Sequence, residues 1–198
     1  MSAFEVPLFP LGTVLFPGGP LPLRIFETRY TDMIGSCMRD GSLFGVVGIR
    51  AGNDVGPSEI HTVGTTARIT DFYQGSDGLL GITAIGETRF KILEERTQPD
   101  GLRIGLVESL PAAPTEPLPD RFHELADILA SVLDDLGKLY ADLPRRMEDS
   151  TWVGYRFCEI LPIGVARKQY CLEHANSIER LEFIEAVLSQ ARQKPSEE

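Results

Sequence analysis

The stretch Pro20-Leu-Pro-Leu-Arg-Ile-Phe-Glu-Thr-Arg-Tyr-Thr-Asp-Met33 is the most informative part of this sequence. A shorter proline-punctuated run, Pro7-Leu-Phe-Pro-Leu11, precedes it. Proline holds φ in the extended region, so we expect extended backbone in both apolar runs. The acid-x-Arg-Tyr sequence at Glu27 suits the start of a helix, because an acidic group stabilises the free N–H groups and the positive end of the helix dipole. The two segments therefore predict apolar extended chain followed directly by a helix.

Short apolar or alternating runs, separated by turn residues, fill the chain from residue 4 to residue 108. Alternation with a period of two gives one solvated and one buried face, which is typical of antiparallel strands. The segments with these patterns are predicted to be strands, and they cover residues 4–9, 13–16, 43–49, 66–73, 79–85, 87–94 and 102–108. Turn signals at Gly75-Ser-Asp-Gly78 and Pro99-Asp-Gly101 separate some of them. Short strands at regular spacing predict a small antiparallel or mixed barrel.

Helical periodicity occurs once inside this β-rich half and then dominates the second half. Apolar residues from Tyr30 to Met38 recur with a period of 3.6, which predicts a helix that begins at Glu27 or Thr28 and ends before Asp40-Gly41. Four prolines between residues 110 and 119 predict a stiff, extended connector. Beyond the connector, amphipathic stripes and the capping box Asn176-x-x-Glu179 predict helices over about 122–139, 150–160 and 165–174 and a last helix from residue 176 onward.

This change of periodicity divides the chain into three expected segments. They are a β-rich domain at residues 1–110, a proline-rich linker at 111–119 and a helical domain at 120–198. The expected fold class is α+β, with a small β-barrel followed by a C-terminal helical bundle.

The composition narrows the class of protein. Of the 198 residues, 42% are hydrophobic and 24% are charged, as in an ordinary globular domain rather than a disordered chain. The formal net charge of −10 disfavours binding to nucleic acid or to an anionic membrane surface, because both partners are themselves negative. No apolar run approaches the roughly 20 residues needed to span a bilayer. We therefore expect neither nucleic acid nor membrane as a partner.

The three cysteines, Cys37, Cys158 and Cys171, are far apart and odd in number. Disulfide frameworks use even sets in small secreted chains, so we expect buried, reduced thiols. The N-terminal residues also show no basic region followed by a long apolar run. The expected location is the cytoplasm.

Several further segments follow in an order that resembles one known family. They are Phe44-Gly-Val-Val47, Val63-Gly-Thr-x-Ala-Arg-Ile69, Asp77-Gly78, Gly86-x-x-Arg-Phe-Lys-Ile92, Leu161-Pro162, Lys168-Gln169, Leu172-Glu173 and Arg180-Leu181. Together with the two proline-punctuated segments, they resemble the amino-terminal, substrate-recognition domain of the ATP-dependent Lon proteases. That module also occurs alone and in cereblon-type proteins. The resemblance extends over about residues 5–190.

The resemblance implies a barrel of the PUA-like type joined to a helical bundle. It implies a module that binds unfolded or exposed apolar segments of client polypeptides, with a separate ATP-dependent protease as a further partner and no cofactor. The sequence has no Gly-x-x-x-x-Gly-Lys-[Ser/Thr] phosphate loop: Gly137-Lys138 is its only Gly-Lys pair and has no glycine five residues earlier. We therefore expect recognition without catalysis.

Two pairs of residues are candidate binding residues. Glu27 and Arg29 could contact a partner at the edge of the barrel. The preferred alternative is structural, with Glu27 as a helix-start carboxylate and Arg29 as its solvated or paired neighbour, because helix starts attract acids without any function. Phe72 and Tyr73 precede a predicted turn, and adjacent strand residues point to opposite faces. One of the two rings could then face outward and anchor a partner, or the helical half could cover both.

The C-terminal half contains cysteine and histidine at a ligand-like spacing. Cys171 and His174 could touch on a helix and form a thiolate–imidazole pair, but a cysteine on an apolar helix face is more often inert core. A closed zinc site needs about four ligands, and no second close pair of ligand residues is present. We expect neither a metal site nor a catalytic residue.

The preferred functional hypothesis is a recognition module with an apolar cleft at the junction of barrel and bundle. Extended clients could also add a strand to an open edge of the barrel. The alternatives are a small-molecule-binding protein or an uncharacterised enzyme that uses a pocket in the barrel, and an RNA-binding protein, which the acidic charge disfavours.

Overall fold

The structure is a computed structural model that describes residues 3–52, 58–75, 78–174 and 176–193. The chain divides into two compact units. The first contains Met1–Ala112 and Gly164–Gln169, and the second contains Ala113–Ile163 and Tyr170–Glu198.

The first unit contains a mixed six-stranded sheet. Its strands are β1 (Phe4–Leu11), β2 (Pro20–Ile25), β3 (Phe44–Gly52), β4 (Ser58–Gln74), β5 (Leu80–Thr97) and β6 (Arg103–Ser109). The strand order is β2-β5-β4-β3-β1-β6, and β5 pairs with β6 as well. β1 and β3 are parallel, and the other pairs are antiparallel. The pairings therefore form a closed circuit of five strands, with β2 outside it.

Apolar side chains fill both faces of this sheet. One cluster combines strand residues such as Val46 and Ile82 with the buried face of helix α1 (Thr28–Asp40). A second cluster consists of Val6, Leu8, Val47, Phe90 and Val107. Val46 and Val47 belong to different clusters because successive strand residues point to opposite faces. The helix begins where predicted and ends one residue later than predicted, at Asp40. Gly41 caps it with φ 64°, a conformation that glycine adopts without strain.

The sequence predicted one strand that does not form and divided another. The strand predicted at residues 13–16 is wrong: residues 14–16 are buried but form no strand, because a short apolar run cannot be assigned by periodicity alone. Strand β2 (Pro20–Ile25) lies in the proline-punctuated run that was expected to be extended. The predicted strands 79–85 and 87–94 are one continuous strand, β5. Gly86 does not interrupt it but gives room to the Phe16 carbonyl oxygen, which would lie 2.3 Å from a Cβ at this position. Residues 76 and 77 of the first predicted turn lie outside the described residues.

The second unit is helical. Its elements are a 3-10 turn (Asp120–Phe122) and the helices α2 (His123–Asp135), α3 (Lys138–Ala141), α4 (Ser150–Ile160), α5 (Val165–Glu173) and α6 (Ser177–Gln193). The first residues of α5 belong to the sheet unit. Gly137, with φ 62°, separates α2 from α3, so the single helix predicted over 122–139 is wrong. C-terminal helices confirm the α+β class, and Asn176 caps α6 by accepting from the N–H groups of Ile178 and Glu179.

Residues 113–119 form contacts within the helical unit rather than standing free of it. The Leu118 N–H donates to the Glu148 carbonyl oxygen (2.8 Å), and the Ser150 N–H donates to the Glu116 carbonyl oxygen (2.8 Å). The hydroxyl of Thr151 donates to the Pro114 carbonyl oxygen (2.7 Å). These bonds fix the proline-rich segment against the start of α4.

A buried ion pair lies in the helical unit. The Arg156 side chain is fully buried, and its Nη2 lies 2.7 Å from Oε1 of Glu159, whose side chain is 9% exposed. Burial and the negative charge of Glu159 raise the pKa of the Tyr140 hydroxyl. Arg156 is thus the counter-ion of a carboxylate that has little access to water.

Replacing Arg156 with leucine should strongly destabilise the protein, because it leaves the Glu159 charge buried without its counter-ion. We expect the free energy of unfolding in urea to fall by about 3–5 kcal/mol. The matched control is Arg121→Leu, which removes an ion pair to Glu182 whose side chains are 57% and 50% exposed. The control should lose less than about 1 kcal/mol, and equal losses in the two variants would contradict this account.

Gly64 in β4 has no room for a side chain. A Cβ there would lie 2.5 Å from the Val46 carbonyl oxygen and 2.7 Å from the Phe90 ring. We therefore expect Gly64→Ala to lower the free energy of unfolding by about 1–3 kcal/mol. Gly164→Ala is the control, because its Cβ would meet no atom within 4 Å. If the two variants melt at the same temperature, the close approach at Gly64 does not exclude a side chain.

Candidate functional site

Glu27 and Arg29 are paired with each other at the start of α1. Nη2 of Arg29 lies 2.7 Å from Oε2 of Glu27, and the two side chains are 21% and 24% exposed. Nη1 of Arg29 donates to the Gly101 carbonyl oxygen (2.8 Å), and the guanidinium carbon lies 4.7 Å from the centre of the Tyr30 ring. Glu27 is the N-cap residue, but its side chain makes no capping hydrogen bond. The pair thus joins the start of α1 to the turn between β5 and β6.

Phe72 and Tyr73 lie near the end of β4 and are both exposed. Phe72 is opposite Ile82 and Tyr73 is opposite Gly81 on β5, so the two rings are on opposite faces of the sheet. Phe72 is 60% exposed and Tyr73 is 47% exposed. The Tyr73 ring lies over Gly81, where a Cβ would be only 2.3 Å from it. The interpretation in which both rings are buried does not hold.

Sequence analysis missed Phe26 as a surface residue. Phe26 follows the last residue of β2, is 62% exposed and comes directly after Ile25, which pairs with Leu80 of β5. Two exposed aromatic residues on β4 and a third directly after β2 therefore lie near the end of the sheet where β5 begins. We call Phe26, Phe72 and Tyr73 the aromatic group. The exposure of Phe26 was missed because the sequence around it shows no periodic pattern that would place the ring on the surface.

The free edge of β2 is poorly suited to strand addition. Within the described residues, β2 pairs only with β5. Alternate N–H groups point to the two sides of a strand, and proline has none, so Leu21 and Leu23 must donate to β5 while Pro20 and Pro22 face outward. The outer edge therefore lacks two of its donors.

A groove of about 400 Å³ lies elsewhere in the sheet unit, where β4 and β5 diverge. The ladder between these strands begins at Val63 and Lys91, whereas β4 starts at Ser58 and β5 continues to Thr97. We call this opening the fork groove. It is lined by Ser58, Glu59, Ile60, His61, Thr62, Ile92, Leu93, Glu94, Glu95 and Arg103.

Cys158 and Cys171 lie together in the helical unit, and both are buried. A hydrogen bond between the thiols, together with burial, raises the pKa of Cys158, and the same bond lowers the pKa of Cys171. The predicted contact partner His174 instead stacks on Tyr170, with ring centres 3.7 Å apart. Burial therefore separates these thiols from any external substrate. Among the described residues, no group of three or more His, Cys, Asp or Glu side chains is placed to hold a metal ion.

The fold class is thus an α+β protein with a large mixed sheet and C-terminal helices. Within the described part of the chain, no helix has the length and apolar character needed to cross a bilayer. The chain belongs to the family described as the ATP-dependent protease La (LON) substrate-binding domain, whose model matches residues 5–190. This membership confirms the resemblance found in the sequence.

Comparison with individual proteins gives the same result. The chain is 26% identical over 196 residues to a Lon protease of Anaeromyxobacter dehalogenans, covering 95% of this chain and 23% of the relative. It is 34% identical over 114 residues to protein cereblon of Gallus gallus, covering 56% of this chain and 25% of the relative. The chain therefore spans about a quarter of the length of these curated relatives.

Solved structures support the same fold. A Lon N-terminal domain protein from Xanthomonas campestris superposes with a TM-score of 0.75 and 33% identity, covering 92% of this chain and 98% of that one. The N-terminal domain of a Mycobacterium avium complex Lon protease gives a TM-score of 0.64 at 17% identity, covering 91% and 96% of the two chains.

The contacts of Arg29 predict a structural effect that can be measured. Arg29→Met removes the ion pair to Glu27 and the hydrogen bond to the Gly101 carbonyl oxygen, so we expect about 1–2 kcal/mol less stability in urea unfolding. Arg39→Met is the control, because Arg39 is exposed and its side chain bonds only Ser36 in the contacts described. A loss no larger than that of the control would show that Arg29 does not hold the turn.

Proposed function

We propose that this protein is a non-catalytic recognition module that binds exposed apolar segments of other polypeptides. The observation that carries the proposal is its membership of the Lon substrate-binding family over residues 5–190. The name of that family describes substrate binding, and substrates of a protease are polypeptides. The proposed partners are unfolded or exposed polypeptide segments and a separate ATP-dependent protease, in protein quality control in the cytoplasm.

The exposed rings of the aromatic group are the proposed contacts for apolar side chains, with Phe72 and Tyr73 presenting one ring on each face of the sheet. Exposed aromatic residues often anchor partners. Fully burying one apolar client side chain contributes about 1.5–3 kcal/mol, before the cost of ordering the client. Three such contacts contribute about 4.5–9 kcal/mol, and only the upper end of that range reaches the roughly 8 kcal/mol of a micromolar complex.

The closed circuit of five strands supports a finer description of the sheet unit as a PUA-like β-barrel, with β2 added outside it. Such a circuit is rigid and presents its exposed residues at fixed positions. Glu27 and Arg29 remain proposed contacts at the edge of this barrel. Because they already bond to each other, their contribution to binding would be smaller than that of the rings.

The proposal is tested by fluorescence anisotropy with a labelled, reduced and alkylated protein that cannot refold. We expect saturable binding to this unfolded probe and none to the same protein in its folded, disulfide-bonded form. Phe72→Ala should weaken binding about 5- to 20-fold, since truncating an anchoring aromatic residue commonly costs 1–2 kcal/mol. Phe72 is exposed, so its replacement should leave the melting temperature nearly unchanged.

Tyr170→Ala is the matched control, because Tyr170 is 53% exposed and lies in the helical unit, outside the aromatic group. It should bind the unfolded probe like the unmodified chain. A flat titration of the unmodified chain at tens of micromolar would refute the proposed function. Equal losses in the Phe72 and Tyr170 variants would instead refute the assignment of the surface.

A further inference from the structure

The fork groove separates two strands that each have one side without a ladder. Residues 58–62 of β4 lie beside β3 on one side only, and residues 92–97 of β5 lie beside β6 on one side only. The β4–β5 register contains no pair beyond Val63 and Lys91 in the described residues. Because backbone N–H and C=O groups alternate between the two sides of a strand, each segment directs some of them into the groove.

Bulges explain why the two strands separate at this point. On β4, residues 61–63 lie opposite Gly48 alone, because the register passes from Val47–Gly64 directly to Ile49–Ile60. On β5, Leu93 is the extra residue between the pairs Ile92–Val107 and Glu94–Leu106. A bulge bends the strand that carries it and increases its twist. Both strands therefore bend where their common ladder ends.

Two side-chain hydrogen bonds fix the β4 side of the groove. Nε2 of Gln169 donates to the Val63 carbonyl oxygen (2.9 Å) and so fixes the bulge in β4. Nη2 of Arg103 donates to the Ser58 carbonyl oxygen (2.5 Å) and so connects β6 to the start of β4. Both bonds lie within the sheet unit. The β4 segment is thus held in place before any ligand arrives, which lowers the entropy cost of binding, and its Ser58 carbonyl oxygen is already bonded to Arg103.

The lining of the groove defines the chemistry of its occupant. Ile60 and Ile92 are partly buried against the second apolar cluster, and Leu93 is 47% exposed. The charged lining residues are Glu59, Glu94, Glu95 and Arg103. Glu95 lies 3.9 Å from Arg103 and Glu59 lies 2.7 Å from Arg50, which is outside the lining, so Glu94 is the lining carboxylate without an ion pair among the contacts described. An apolar base with an acidic rim is complementary to an extended segment that alternates aliphatic and basic side chains.

We propose that the fork groove binds an extended, basic and aliphatic segment of a client polypeptide as an additional strand between β4 and β5. The inference rests on the proposed function and assigns to it a second contact, in which main-chain hydrogen bonds form on both sides of the client. The aromatic group would hold apolar side chains, and the fork groove would hold the client backbone. Strand addition at the proline-containing edge of β2 is not required.

The test uses a fluorescein-labelled, capped (Lys-Val)4 peptide and two N-methylated forms of it. In an extended peptide all valine N–H groups point to one side and all lysine N–H groups to the other. Methylating either set removes one of the two ladders, so each form should bind at least about 10-fold more weakly than the parent peptide. If the peptide instead added to a single free edge, it would need hydrogen bonds on one side only. One of the two methylated forms would then bind like the parent peptide through its unmethylated side. Equal binding of either methylated form would overturn the proposal.

Charge and location are tested separately. Glu94→Lys should weaken (Lys-Val)4 binding about 5-fold, and Asp32→Lys, the same charge change on the exposed face of α1, should not. Hydrogen exchange should slow at residues 58–62 and 92–97 when the peptide binds and stay unchanged at 80–85. Protection that is absent from the first two segments, or confined to β2, would overturn the proposal.

The unfolded probe used for the proposed function is titrated in parallel. If it binds through Phe72 while (Lys-Val)4 does not bind, the fork-groove proposal is overturned and the proposed function stands. If the peptide protects both segments while the unfolded probe does not bind, the strand site stands and the broader recognition function falls. The two failures therefore give different results.

Discussion

Strand β5 is the element on which the sheet unit depends. Over its 18 residues it pairs with β2 and β4 in its first half and with β4 and then β6 in its second half. One continuous backbone thus joins the proline-rich edge to the closed circuit of strands. Because ladder hydrogen bonds fix both position and direction, a shift of β5 by one residue would exchange its buried and solvated faces along the whole strand. The aromatic group and the fork groove both take their positions from this register.

Departures from regular pairing create the surfaces where recognition is proposed. The bulges in β4 and β5 end their common ladder. Just before the two strands separate, glycine at position 64 gives room to the Val46 carbonyl oxygen of β3 and to the Phe90 ring of β5. A tight contact and an open groove therefore adjoin each other on the same strand. The apolar cluster that includes Phe90 keeps the base of this region rigid.

Features set by local interactions were predictable from the sequence. Helix α1 and the capped start of α6 depend on residues within a few positions of each other, and both occur where the sequence placed them. The prediction of a strand at residues 13–16 was wrong because the burial of Leu15 depends on a distant part of the sequence. The Thr65 hydroxyl donates to the Leu15 carbonyl oxygen (2.6 Å). The exposure of Phe72 was among the alternatives considered. The fork groove was not, because it depends on which residues of β4 and β5 pair, and no local pattern encodes that register.

The prolines of β2 have a consequence for self-association. A protein that binds extended polypeptides is at risk of binding itself, since a strand added to a free edge exposes a new edge to which another copy can add. Pro20 and Pro22 remove donors from the outer edge of β2 and so hinder the start of such a chain. A segment held between β4 and β5 would be hydrogen-bonded on both sides and would leave no edge for a further molecule. Capture of a client would then end at one segment, and growth into fibrils would be prevented by geometry.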